Sequence, residues 1–146
     1  MEETIILQTQ SISIGYHNKK VSSLVAKAVS IALKKGKLTA LIGANGIGKS
    51  TLLKTITGIQ TPIMGDVLLH GKNIATYNVS DLSQEMSLVL TEKLPPSNLT
   101  VYELVALGRQ PYTNWIGTLT EEDKIQVERA LSLTQISHLA DKKHYQ

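Results

Sequence analysis

Gly43-Ala44-Asn45-Gly46-Ile47-Gly48-Lys49-Ser50-Thr51 is the stretch that decides the reading of this chain. It has the form G-x-x-x-x-G-K-[ST], a phosphate-binding loop when a buried strand precedes it and a helix follows. Leu38-Thr39-Ala40-Leu41-Ile42 is a compact apolar run that predicts the strand. From Lys49 the pattern predicts a helix closed by Gly58. The glycines at 43, 46 and 48 permit backbone angles and a close approach that side chains would block. Successive N–H groups can then turn inward as an anion-binding nest, reinforced by the positive end of the following helix. Gly43, Ala44, Asn45, Gly46, Ile47, Gly48, Lys49, Ser50 and Thr51 are therefore the expected nucleotide-binding set. Within it Lys49 reaches the β- and γ-phosphates, the Ser50 hydroxyl ligates Mg²⁺, and Thr51 supports the α-phosphate. The expected cofactors are ATP and Mg²⁺.

Outside the loop the bulk properties mainly exclude. The 146 residues suffice for one domain with a real core, and 42% hydrophobic with 18% charged residues is ordinary for a globular chain. The net charge is +3, thirteen of the fifteen basic residues are lysines, and no dense basic block occurs. Nucleic acid is accordingly not expected as a partner. There is no cysteine, which excludes a disulfide framework or thiolate metal site. The acidic start Met1-Glu2-Glu3-Thr4 predicts no secretory signal. No segment approaches the roughly 18 to 20 apolar residues needed to cross a bilayer. Any membrane crossing would fall to a partner.

Along the chain, residues 4–8 and 11–16 read as strands, 17–20 as a turn, and 21–33 as one or two further strands. A hairpin is expected around Gly71, a short helix over 80–85 and another apolar strand over 86–90. Leu94-Pro95-Pro96-Ser97-Asn98 breaks the chain. Thr100 with Glu103 has capping-box spacing, with Gly108 as the expected helix end. Residues 111–118 read as a loop. Thr120 with Asp123 starts a second helix whose apolar face is Val127, Ala130, Leu131 and Thr134, and a frayed helix is expected over 135–144. Strands thus dominate to about residue 90 and helices afterwards.

A phosphate loop alone does not name a reaction, and the surrounding residues narrow it. Leu41 through Lys54, then Gly58, Pro62, Gly65-Asp66-Val67-Leu68-Leu69 and Gly71-Lys72-Asn73-Ile74, resemble the Walker A segment and following hairpin of ABC ATPases. Thr100-Val101-Tyr102-Glu103-Leu104-Val105-Ala106-Leu107-Gly108-Arg109, with Pro111-Tyr112 and Trp115-Ile116-Gly117, resembles the opening of the helical subdomain in importers of iron-siderophores, haem and cobalamin. The resemblance implies an α/β P-loop NTPase with a three-layer core, incomplete, carrying an antiparallel β portion and the start of a helical subdomain. Residues 1–92 would form the nucleotide-binding core with the antiparallel portion, and 93–146 the partial helical subdomain. It also implies that Tyr16 stacks on adenine, and that Tyr112 or Trp115 contacts a permease or simply packs. Implied partners are integral-membrane permease subunits, a second ATPase subunit in a homodimer and, indirectly, an extracytoplasmic binding protein. The implied location is cytoplasmic, peripheral on the inner face of the membrane.

Two departures from the family pattern stand out. The family's magnesium-ligating glutamine aligns with Thr91, so Thr91, or Glu92 beside it, is the expected substitute. The signature loop, the Walker B aspartate with its catalytic glutamate, and the switch histidine have no counterpart in these 146 residues. His138 and His144 are expected at the surface. No catalytic residue is assigned, and negligible turnover is expected of this chain alone. The missing core strands would lie beside the strand that leads into the phosphate loop. Other readings are a soluble ABC ATPase without a permease, a nucleotide-binding interaction module without hydrolysis, and a small-molecule kinase.

Overall fold

The computed structural model describes residues 4–18, 21–92, 94–114 and 117–145. The chain divides into two compact units, Met1–Leu88 and Val89–Gln146. The expected contact residue Trp115 lies outside the described residues.

The first unit is organised by one long strand, β1 (Ile5–Asn18), in place of the two strands expected. Two antiparallel partners share one of its edges: β2 (Val21–Val29) and β3 (Ala32–Lys34). On the other edge lies β4 (Met64–Leu69), extended by the short β5 (Lys72–Asn73). Along β1 the inward residues change phase, from Leu7 and Thr9 to Ile12 and Ile14. Side chains alternate strictly in a regular strand, so a change of phase needs an extra residue. Ser11 supplies it, with φ at 48°, where the pairing to β4 shifts register. The bulge keeps both halves of β1 on one core with Val67, Leu69, Ile56 and Ile74. Where β2 gives way to β3, buried Thr9 closes the gap: its hydroxyl donates to Val29 O at 2.9 Å and accepts from Ile31 N at 3.0 Å.

Helix α1 (Lys49–Ile56) buries Thr51, Thr55 and Ile56. It ends where expected, with Thr57 as C-cap and Gly58 at φ 79°. The hairpin turns at His70 and Gly71. Helix α2 (Val79–Glu85) starts at Asn78, whose side chain accepts from Asp81 N.

The two apolar runs expected as strands, 38–42 and 86–90, are not strands. Leu38 and Ile42 are 101% and 89% exposed, and Val89 is 93% exposed. The pattern marks residues suited to a sheet, but a strand exists only where a ladder completes its hydrogen bonds. No described strand pairs with either run.

In the second unit, α3 (Val101–Ala106) and α4 (Glu121–Leu133) both begin with the expected capping boxes, Thr100 with Glu103 and Thr120 with Asp123. Helix α3 stops two residues before Gly108 and passes into a 3₁₀ segment, Leu107–Tyr112. That segment replaces the start of the expected loop and carries Arg109 to Asp123, Nε to Oδ1 at 2.8 Å, with the guanidinium 4.0 Å from the centre of the Tyr112 ring. Of the face expected on α4, Val127 and Leu131 are buried and Ala130 is half-buried, but Thr134 is exposed. Among the described residues beyond α4, only Ser137–Leu139 is helical, as one 3₁₀ turn, so the long helix expected over 135–144 does not form. His138 is exposed, but His144 is half-buried with Nε2 3.1 Å from Pro95 O, against the surface position expected for it.

Backbone and side-chain hydrogen bonds from Thr120, then Arg109, hold the Asp123 carboxyl below the ordinary aspartate range. A depressed folded value means the contribution is complete above the unfolded value near about 4 and is lost as pH falls through the folded one. Thermal melts should therefore show Asp123→Asn less stable than wild type at pH 7, with the gap closing as pH is lowered beneath that range. A gap independent of pH would refute the assignment.

Candidate nucleotide site

The start of α1 is distinguished by what its N-terminus lacks. The first amides of any helix have no intrahelical acceptor, and a capping side chain usually supplies one. Asn78, Thr100 and Thr120 do so for α2, α3 and α4. At α1 the N-cap is Gly48, with no side-chain cap and no acidic residue in the first turn. The positive end of this helix is left open to an external anion.

Two contacts shape the loop ahead of it. Lys49 folds back so that Nζ donates to Gly43 O at 2.7 Å and Ala44 O at 2.8 Å, placing the ammonium inside the curl of the loop. Ile47 N reaches Ala44 O at 3.4 Å and tightens the turn through Asn45 and Gly46. Gly48 is required on two counts. Its φ is 107°, in the left-handed region, and a Cβ there would lie 2.3 Å from Val25 Cγ1 on β2. The glycine thus lets β2 press against the root of the loop.

Tyr16, near the end of β1, is 56% exposed, and its hydroxyl is 3.1 Å from Thr51 Oγ1. The structure therefore brings Tyr16, Thr51 and Lys49 to one end of α1, on the same unit. Thr51 itself is buried, and Ser50 is exposed in the first turn. Mg²⁺ commonly takes one or two protein ligands and completes its shell with phosphate oxygens and water, so a single exposed hydroxyl beside an uncapped helix end fits it. Thr91 sits at an exposed bend in the second unit, and its role as a metal ligand remains a reading of the sequence. What sequence reasoning missed is a groove of about 730 Å³ beside Tyr16, lined by Gly15, Tyr16 and residues 59–63. Its components come from two segments, 15–16 and 59–63, that are far apart in the chain.

This fold and loop define a P-loop nucleotide-binding domain. Residues 26–146 match the family model described as ABC transporter, and the chain belongs to that family. It is 38% identical to an uncharacterized ABC transporter ATP-binding protein of Methanocaldococcus jannaschii, over 97% of this chain and 47% of that protein. It is 37% identical to the iron(3+)-hydroxamate import ATP-binding protein FhuC of Bacillus subtilis, over 93% of this chain and 49% of that protein. Among solved structures it resembles a nucleotide-free ATP-binding cassette from an ABC transporter, with a TM-score of 0.73 and 30% identity over 96% of this chain and 58% of that one. The chain spans about half the length of the curated relatives it matches.

Gly48→Ala should destabilise the first unit by about 1–3 kcal/mol in a denaturant titration, combining left-handed strain with the clash. Adding Val25→Ala should recover only the steric part. Full recovery, or none, would contradict the geometry.

Proposed function

We propose that this chain is the nucleotide-binding part of an ABC importer subunit that couples ATP binding and hydrolysis to uptake of an iron complex, such as a siderophore or haem, or of cobalamin. The observation that carries the proposal is the uncapped start of α1 with the Lys49 ammonium held inside the loop before it. Main-chain amides at 43–51 would hold the phosphates, Lys49 would balance their charge, and Ser50 would ligate Mg²⁺. Thr91, or its neighbour Glu92, is the proposed second contact to the metal. Bound Mg²⁺ would neutralise charge on the phosphate oxygens. Tyr16 would stack on the base, a contact worth on the order of 1–3 kcal/mol in comparable sites.

The cargo class rests on the relatives named for iron-complex import and on the resemblance of residues 100–117 to that group. Among the described residues no helix is long and apolar enough to cross a membrane. The proposed partners are therefore permease subunits that span the membrane, with a second ATPase subunit completing the nucleotide sandwich and a binding protein acting from the far side. The working location is the cytoplasmic face of that membrane. Division of labour between residues 1–92 and 93–146 belongs to the same proposal. Hydrolysis needs an acid that polarises water, and none of the assigned residues provides one. The 146-residue chain is thus proposed to bind ATP without turning it over.

Calorimetry with Mg-ATP should give saturable binding to the 146-residue chain and none to Lys49→Ala, with phosphate release at background for both. Unchanged affinity in the variant, or turnover by the wild-type chain, would refute this assignment. Recovery of the intact protein from detergent extracts with a polytopic membrane subunit supports the importer; recovery with soluble partners alone refutes it.

A further inference from the structure

Thr51 lies in the first turn of α1, and its hydroxyl is satisfied differently from those of the later threonines. Thr55 Oγ1 donates back to Thr51 O at 2.8 Å and Thr57 Oγ1 to Leu53 O at 2.7 Å, the usual outlet for a helical threonine. Four residues behind Thr51 stands Ile47, which belongs to the phosphate loop and not to the helix. Thr51 is buried all the same, and a buried hydroxyl needs a partner. Among the described residues that partner is the Tyr16 hydroxyl, at 3.1 Å.

Tyr16 reaches Thr51 from an anchored backbone. It pairs with Ser23 on β2, the Gln60 side-chain amide meets the Gly15 carbonyl beside it, and Ile63 N donates to Ser13 O at 2.7 Å. Helical side chains lean toward the helix N-terminus, so Thr51 leans toward the end of α1 that has no cap. Within the hydroxyl pair either oxygen can be the donor. A phosphate oxygen removes that choice, because it only accepts. Thr51 has one hydrogen to give, and once phosphate takes it, Thr51 Oγ1 can only accept from Tyr16.

Resting on the ATP-binding proposal above, we infer that Tyr16 is a positioning residue for the phosphates: its hydroxyl donates to Thr51 Oγ1 and so directs the Thr51 O–H to the α-phosphate. Thr51 then accepts on one side and donates on the other, and hydrogen bonds joined head to tail strengthen one another. This role is separable from stacking on the base, which needs the ring and not the oxygen. Phenylalanine at position 16 keeps the ring and removes the donor that orients the buried Thr51 hydroxyl. Tripolyphosphate has no base, so its binding reports the relay without the stacking.

The test is calorimetry of the 146-residue chain with Mg-ATP and with magnesium tripolyphosphate. Tyr16→Phe should weaken both by a similar factor, about three- to tenfold, the range of one hydrogen bond between neutral groups. Thr51→Ser keeps the hydroxyl and should bind near wild type, whereas on a Thr51→Val background Tyr16→Phe should cost nothing further. A folded Tyr16→Phe that loses affinity for ATP alone overturns the inference, because Tyr16 then acts only through the base. Equal losses on the wild-type and Thr51→Val backgrounds overturn it too. So does a wild type that binds ATP and not tripolyphosphate, since the phosphates then carry no affinity of their own. If Tyr16→Phe matches wild type for both ligands while Lys49→Ala binds neither, the ATP-site proposal stands and the relay alone fails. If wild type binds neither, both fail.

Discussion

A helix end that no side chain satisfies is the constraint on which the first unit turns. The amides at the start of α1 need an acceptor, and Gly48 offers none. The chain enters the helix at Gly48 through left-handed backbone, where a Cβ would be strained and would meet Val25. The space a Cβ would occupy is filled by Val25, so β2 also supports the loop. Strand β2 in turn is held by β1, whose far end brings Tyr16 to Thr51. Sheet, loop and helix are therefore arranged about one set of unsatisfied donors.

Much of this was legible from local signals. The phosphate loop is contiguous, and each of its residue types has its own reason to be there. The capping boxes at Thr100 and Thr120 depend on spacing within one helical turn, and both formed. Features set by distant residues were not legible. The Ser11 bulge shows only as a change of phase along β1, and in the sequence it split one strand into two. Arg109 and Asp123 are 14 positions apart, and nothing local marks them as a pair. Gln60 and Gly15 are 45 apart, and glycine carries no side chain to announce a contact.

The runs 38–42 and 86–90 show where hydrophobic pattern overreaches. Both have the composition of buried strands, and neither has a partner strand among the described residues. Apolar content states a demand for burial. The geometry that meets the demand comes from other parts of a sheet, and the match to only half the length of the relatives sets the scale of what these 146 residues supply.

One consequence concerns the covalent continuity between residues 38–42 and the phosphate loop. Leu38, Leu41 and Ile42 are exposed, and Gly43 follows directly. Any ladder formed on this run would immobilise the backbone that leads into the nest, removing freedom that an anion would otherwise have to remove itself. Covering the run and occupying the loop are then coupled events. By thermodynamic reciprocity, whatever tightens one tightens the other.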